Sequence, residues 1–171
     1  MAVRTEYGFR RTTCPCRACT ISCEHLPGSL APADVERMAA FLEYTDVERF
    51  ARENLVTSEG ARVTTGDGRV VHLPMLVPAT TDAGQCTFLR GGLCAIHAVS
   101  PYGCAFLDSH MSDRELADRT KPLHEDLLND QETEGPYSRL WTMLGEENRS
   151  AAPVRDRRYS LAKAMRRERL G

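Results

Sequence analysis

The segment CPCRACTISC at residues 14–23 carries four of the chain's seven cysteines, spaced C-x-C-x-x-C-x-x-x-C. Because seven is an odd number, a framework built only of disulfides would leave one thiol unpaired. Closely spaced cysteines in a reducing compartment are more often metal ligands or redox groups than disulfide partners. We therefore interpret all seven cysteines as candidate metal ligands: Cys14, Cys16, Cys19, Cys23, Cys86, Cys94 and Cys104.

The composition is that of a globular protein. The chain has 171 residues, of which 42% are hydrophobic and 27% charged, and it is too apolar to be disordered. A net charge of −2 argues against a dedicated nucleic-acid binder. No apolar run approaches the ~20 residues that cross a bilayer, so we expect no membrane partner. The charged N-terminus lacks the hydrophobic stretch of a secretory signal, and we expect a cytoplasmic protein.

Several segments predict helices. Pro32 suits the first turn of one helix. Thr45 and Glu48 form the pattern of a capping box at the start of a second, and Ser112 and Glu115 form the same pattern farther on. Apolar residues recur at helical spacing after each of these starts. The fold class that we predict is α+β: a small, mainly helical domain.

A short hairpin is predicted among the later cysteines. The preceding residues 56–85 are typical of strands and turns. In CTFLRGGLCAIH, residues 86–97, Gly91-Gly92 marks the bend and Cys86 and Cys94 lie on the two arms. We expect the fold around this cysteine-ligated metal centre to be irregular, with helices packed on it.

The last third of the chain differs in charge from the rest. Residues 111–150 carry ten acidic and five basic side chains, whereas residues 153–171 carry seven basic and two acidic ones. We predict a cysteine-cluster metal-binding domain at 1–110 and a helical C-terminal extension at 111–171, packed on it or partly free. The acidic segment and the basic tail are candidate surfaces for a protein partner.

The spacing of the first cluster suits a metal. A soft metal ion or an iron–sulfur core stabilises thiolates, and the C-x-x-C spacing of Cys16 and Cys19 lets both sulfurs face one point. Cys14 and Cys23 flank this pair at distances that a tight turn can bring to the same centre. The pattern indicates metal binding more strongly than it indicates which metal.

Seven thiols leave three arrangements open, because four ligands complete a tetrahedral zinc or a four-iron cluster. One is a single centre with ligands from both cysteine clusters. Another has two centres, with the three later cysteines completed by His97 or His110. In the third, three cysteines hold a four-iron cluster and one iron stays open to substrate. His25, two residues after Cys23, is a candidate for orienting the site without binding the metal.

Two stretches resemble a known family. CRACTISCEHLPGSLAPADVERMAAFL is similar to the opening of the YkgJ-type cysteine-cluster (CxxCxxCC) proteins, described as zinc- or iron-chelating. The family's helix opens on Leu-x-x-x-Asp-hydrophobic, here Leu30, Asp34 and Val35. CTFLRGGLCAIHAVSPYGCAF is similar to the family's second signature, and the resemblance covers residues 14–110. The positions that match this second signature are Cys86, Phe88, Leu89, Gly92, Cys94, Ile96, Pro101, Cys104 and Phe106.

The chain departs from the family at a few positions. Ser22 stands where the family has a third thiol, and Cys14 is an additional one. His97 stands where the family usually has tyrosine, and Ser100 and Ala105 replace its two usual arginines.

The resemblance has implications for function. It extends to flagellin lysine methylases with a four-iron cluster, which favours iron–sulfur over zinc. It implies a 4Fe-4S cluster-binding protein, a redox or group-transfer enzyme of unknown substrate. The alternative is a zinc-binding structural or partner-binding module. No recognisable acid–base or nucleophile set accompanies the cysteines, so we assign no catalytic residue.

Overall fold

The computed structural model describes residues 3–4, 9–10, 16–106 and 109–150. The predicted α+β fold, mainly helical with a short hairpin, is confirmed. Cys14 and the basic tail at 153–171 lie outside the described residues. The helices are α1 (Arg17–His25), α2 (Pro32–Phe41), α3 (Val47–Asn54), a 3-10 turn (His97–Val99), α4 (Tyr102–Phe106), α5 (Asp113–Glu132) and α6 (Pro136–Ser150). The strands are β1 (Val3–Arg4), β2 (Phe9–Arg10), β3 (Leu55–Thr64), β4 (Val70–Pro78), β5 (Leu89–Arg90) and β6 (Leu93–Cys94).

Helix α2 begins at Pro32, as predicted. Its first turn is held by Asp34, whose side chain accepts the backbone N–H of Ala31 at 2.8 Å. The same carboxylate accepts the N–H of Tyr102, the first residue of α4, at 2.6 Å and pairs with Arg37. Asp34 is completely buried. One carboxylate therefore fixes the starts of two helices.

Helix α3 begins one residue later than the sequence pattern predicts. The N-cap is Asp46, whose carboxylate accepts the N–H of Arg49 at 3.1 Å. The prediction of a capping box between Thr45 and Glu48 is therefore wrong. Aspartate is at least as good an N-cap as threonine, and Asp46 directly follows Thr45 in the chain.

The longest sheet is the antiparallel hairpin of β3 and β4. Its register pairs Leu55 with Pro78 at one end and Thr64 with Val70 at the other, with a bulge between Ser58 and Ala61. Strand β4 also binds the segment before α2, because the N–H of Leu30 donates to the carbonyl of Leu76 at 2.9 Å. This bond fixes the segment that follows α1 on the core.

Helices α5 and α6 share one well-satisfied junction. The predicted capping box of Ser112 and Glu115 is confirmed at the start of α5. The buried Asp130, near the end of α5, accepts the N–H of Tyr137 at 3.3 Å and the N–H and hydroxyl of Ser138 at 2.8 and 2.6 Å. The side chain of Asp130 in α5 thus caps the start of α6.

The hydrophobic core lies between α2, α3, β4, α5 and α6, so residues from both sides of position 111 pack in one cluster. Tyr102, Tyr137 and Phe50 are its largest fully buried side chains. The other buried members are Leu30, Ala31, Val35, Met38, Ala39, Ala51, Leu55, Leu73, Met75, Leu76, Cys86, Phe88, Ile96, Phe106, Leu123, Leu127, Leu140 and Leu144.

The hydroxyl of Tyr137 joins three elements inside this core. It accepts the N–H of Leu76 at 2.6 Å and donates to the carbonyl of Leu30 at 3.0 Å. Tyr137→Phe leaves both groups buried and unsatisfied, so we expect a loss of about 1–3 kcal/mol in the free energy of unfolding, measured with urea. Tyr44→Phe is the control, because Tyr44 bonds the exposed Glu53. Equal losses in the two variants would contradict this account.

Candidate metal centres

Cys19 and Cys23 lie on a helix, where the spacing of the first cysteine cluster predicts a tight turn. Cys16 immediately precedes α1, and its carbonyl accepts the N–H groups of Cys19 and Thr20 at 3.1 and 3.0 Å. Cys16, Cys19 and Cys23 are spaced by three and four residues, which places them along one helix face. Seven residues of helix span about 10 Å, more than one metal ion can bridge. Cys16 and Cys23, at the two ends of this stripe of three cysteines, therefore cannot bind the same single ion.

Cys16 and Cys19 meet His110, and we call these three residues the Cys2His group. The Sγ of Cys16 lies 3.4 Å from Nε2 of His110, and the three ligand atoms all lie within 4.8 Å of one another. Cys19 is buried and its sulfur accepts the N–H of Ser109 at 3.4 Å, while His110 is exposed. Two thiols and one imidazole are a donor set that proteins use for zinc. This group could hold a metal ion.

Cys23, at the other end of the stripe, faces the later cysteines. The N–H of Cys86 donates to the carbonyl of Glu24 at 2.8 Å, so Cys86 lies beside the end of α1. Leu89 donates its N–H to the carbonyl of Cys86 and pairs with Cys94 across the β5–β6 hairpin. The hairpin thus brings two cysteines to the end of α1 that carries Cys23.

Cys104 completes this set from α4. Its sulfur accepts the N–H of Gly28 at 3.0 Å, and the N–H of Gly103 donates to the carbonyl of Ser29 at 2.9 Å. The backbones touch so closely that a β-carbon on Gly28 would lie 2.2 Å from the carbonyl carbon of Gly103. Only glycine fits at this contact, which places Cys104 against the segment after α1.

We call Cys23, Cys86, Cys94 and Cys104 the four-thiol group, since their charges act on one another. Burial raises the pKa of Cys104 to about 12, the other three thiols add to the shift, and the N–H of Gly28 opposes it. Burial likewise raises the pKa of Cys86, with Cys94 and Cys23 contributing. Such effects weaken with distance, so the four thiols are neighbours. A metal that binds here has to displace their protons.

Cys23, a member of the four-thiol group, lies one helical turn from Cys19 of the Cys2His group. Partial burial is the main cause that raises its pKa, followed by the charges of Cys94 and Cys19 and then by Glu24. Glu24 is itself paired with Arg17 at 2.7 Å. One helix face therefore carries thiols of both groups side by side.

The two groups differ in spacing. Of the described Cys, His, Asp and Glu residues, only the Cys2His group forms a set of three or more whose ligand atoms all lie within 4.8 Å. Four thiolates on one zinc, at bonds of about 2.3 Å, lie roughly 3.8 Å apart. A four-iron cluster binds each thiolate to a different iron and so holds them farther apart. The Cys2His group is therefore compact enough for a single ion, whereas no three of the sulfurs in the four-thiol group lie that close to one another.

The histidines singled out in the sequence fall in different places. His110 lies with the first cysteine cluster, not with the three later cysteines. His97 is exposed in the 3-10 turn. His25 ends α1, with Nε2 3.5 Å from the carboxylate of Glu24 and with a buried Nδ1 that has no hydrogen-bond partner. The meeting of His110 with Cys16, 94 residues away, has no signal in the sequence.

Comparisons with known proteins found no match: no family model, no curated protein and no solved structure matches the chain. Across the part of the chain that the structure describes, none of the helices is both long and apolar enough to span a membrane.

Proposed function

We propose that this chain is an iron–sulfur protein that binds a 4Fe-4S cluster at the four-thiol group. One observation carries the proposal: Cys23, Cys86, Cys94 and Cys104 come from α1, the hairpin and α4, yet hydrogen bonds hold these segments together. The N–H of Cys86 donates to the carbonyl of Glu24, next to Cys23, and the sulfur of Cys104 accepts the N–H of Gly28, just after α1. No three of the four sulfurs all lie within 4.8 Å of one another, a wider spacing than a single zinc requires, and this supports a cluster over zinc. The resemblance to the YkgJ-type cysteine-cluster proteins supports the same metal.

The surroundings of the four thiols fit this cofactor. Backbone N–H groups that point at the sulfurs stabilise cluster thiolates, and Gly28 provides one at 3.0 Å from Cys104. The N–H groups of Phe88 and Leu89 act in the same direction on Cys86. A metal cation would also relieve the burial cost that keeps these thiols protonated.

The centre is also accessible from outside. Cys23 is exposed, and Leu93, next to Cys94, is 76% exposed. A cluster at this position, with one thiolate on each iron, supplies one-electron transfer. We therefore propose redox chemistry for the site.

The test is metal analysis of the full chain made and purified without air. We expect a brown protein with about four irons and four sulfides per chain, and an EPR signal after reduction. A colourless protein with stoichiometric zinc at the four-thiol group would contradict the proposal. It would favour the alternative of a zinc-stabilised structural or partner-binding module.

Cys14 is expected to be the most dispensable thiol of the first cluster, because it lies outside the pattern of the resembled family. Cys14→Ser should keep the metal content of the wild type, measured by elemental analysis. Metal loss as severe as that from Cys16→Ser would show instead that Cys14 replaces the thiol that the family has at position 22, where this chain has serine.

A further inference from the structure

We infer that the Cys2His group is a second metal site, which binds one zinc ion separately from the cluster. The inference rests on the proposed function for the assignment of the other four thiols. It assigns to Cys16, Cys19 and His110 a zinc ion, which differs from the cluster in the metal, in the number of metal atoms and in the donor atoms that bind it. Cys16 lies just before α1, Cys19 lies on α1, and His110 lies shortly before α5.

The distances fit a single ion. A tetrahedral zinc with bonds of about 2.3 Å to sulfur and 2.0–2.1 Å to nitrogen separates these two ligands by roughly 3.6 Å. Cys16 Sγ and His110 Nε2 are 3.4 Å apart, and the sulfur of Cys19 lies within 4.8 Å of both atoms. The ion would therefore need little rearrangement of the three side chains.

The chemistry of the donors favours zinc over iron–sulfur. Most iron–sulfur clusters are held by thiolates alone, whereas mixed thiolate and imidazole sets are common for zinc. Cys19 supplies a buried ligand, and the N–H of Ser109 already points at its sulfur from 3.4 Å. A bond of this kind orients a ligand and stabilises its thiolate.

Helix α1 keeps the two centres apart. Cys16 and Cys23 are about 10 Å apart along the axis. Cys16 contacts His110, whereas Glu24, the neighbour of Cys23, binds the backbone of Cys86. His110 precedes Ser112, the N-cap of α5. A zinc ion at this site would therefore fasten the start of α5 to α1, while the cluster fastens the other end of α1 to the hairpin and α4.

The test measures zinc and iron in parallel in the full chain and in histidine variants. We expect one zinc beside the cluster in the wild type. His110→Ala should weaken zinc affinity by more than about 100-fold, because even residues that only orient a ligand cost 10–100-fold. Its iron and sulfide contents should stay unchanged. His72→Ala is the matched control, since His72 is an exposed strand residue away from both groups, and it should keep both metals.

A second variant guards against a simple folding defect. His110→Cys should restore zinc binding, and with cobalt in place of zinc it should add a thiolate-to-cobalt absorption band that the wild type has more weakly. A chain with a full cluster and no second ion, or equal zinc in His110→Ala and His72→Ala, would overturn the inference. Two zinc ions and no iron, of which His110→Ala loses one, would contradict the proposed cluster and support this site.

Discussion

Cys104→Ser is expected to lose most of the iron and sulfide and to melt at a clearly lower temperature than the wild type. The sulfur of Cys104 lies at the contact of Gly28 with α4, where it accepts the N–H of Gly28. Metal binding is coupled to folding, so losing a ligand costs several kcal/mol. Each kcal/mol corresponds to roughly 2–4 °C in a chain of this size. Anaerobic metal analysis and circular dichroism measure the two effects.

Cys16→Ser is the matched control, because it removes a thiol of the Cys2His group. It should keep the iron and lose zinc, which separates the two centres in a pair of chemically identical substitutions. Wild-type iron content in Cys104→Ser, together with an unchanged melting temperature, would contradict the four-thiol group as the cluster site. Loss of iron from both variants to the same extent would indicate a single centre shared by both clusters.

Asp34→Ala is expected to destabilise the protein by about 3–5 kcal/mol, the usual cost of removing one partner of a buried charged pair. The carboxylate is completely buried and accepts the N–H groups of Ala31 and Tyr102. The substitution removes the acceptor of both N–H groups and the carboxylate that pairs with Arg37. Urea unfolding measures the loss. Iron content should fall as well, because α4 carries both Tyr102 and Cys104.

Two further variants separate the carboxylate's charge from its shape. Asp34→Asn keeps an oxygen that can accept both N–H groups, because Ala31 and Tyr102 donate to the same oxygen, Oδ2, and it should lose less stability than alanine does. Asp118→Ala removes an exposed carboxylate from α5, where Arg114 lies 3.9 Å away, and should change stability by less than about 0.5 kcal/mol. A loss below 1 kcal/mol in Asp34→Ala would show that other groups satisfy the two N–H groups.

Features set by a few adjacent residues could be predicted from the sequence. The capping box of Ser112 and Glu115 is present, and the hairpin bends at Gly91 and Gly92 with φ of 57° and 80°, a conformation that favours glycine. The start of α3 was missed by one residue because Asp46 competes with the pattern next to it. Local patterns of this kind identify an element better than they identify its first residue.

The division of the six described thiols into two groups could not be predicted in the same way. Cys19 and Cys23 are one helical turn apart, yet Cys19 belongs with His110 and Cys23 with the hairpin. That outcome depends on where two distant segments return to α1, which no local pattern encodes. The spacing of three and four residues did carry a signal for a helix, and it was interpreted as a turn because C-x-x-C is common in metal-binding turns.

The backbone contact between Gly28 and Gly103 also matters for the unfolded chain. A metal held by Cys23 and Cys104 next to this contact closes a loop of about 80 residues that contains α2, α3, β3 and β4. By the chain-entropy relation for cross-links, such a closure removes about 4–5 kcal/mol of freedom from the denatured ensemble. Helices α5 and α6 lie outside the loop, so the cross-link constrains them only through packing. Much of the stability that the cofactor adds would then come from lowering the conformational entropy of the unfolded chain, in which the core is not formed.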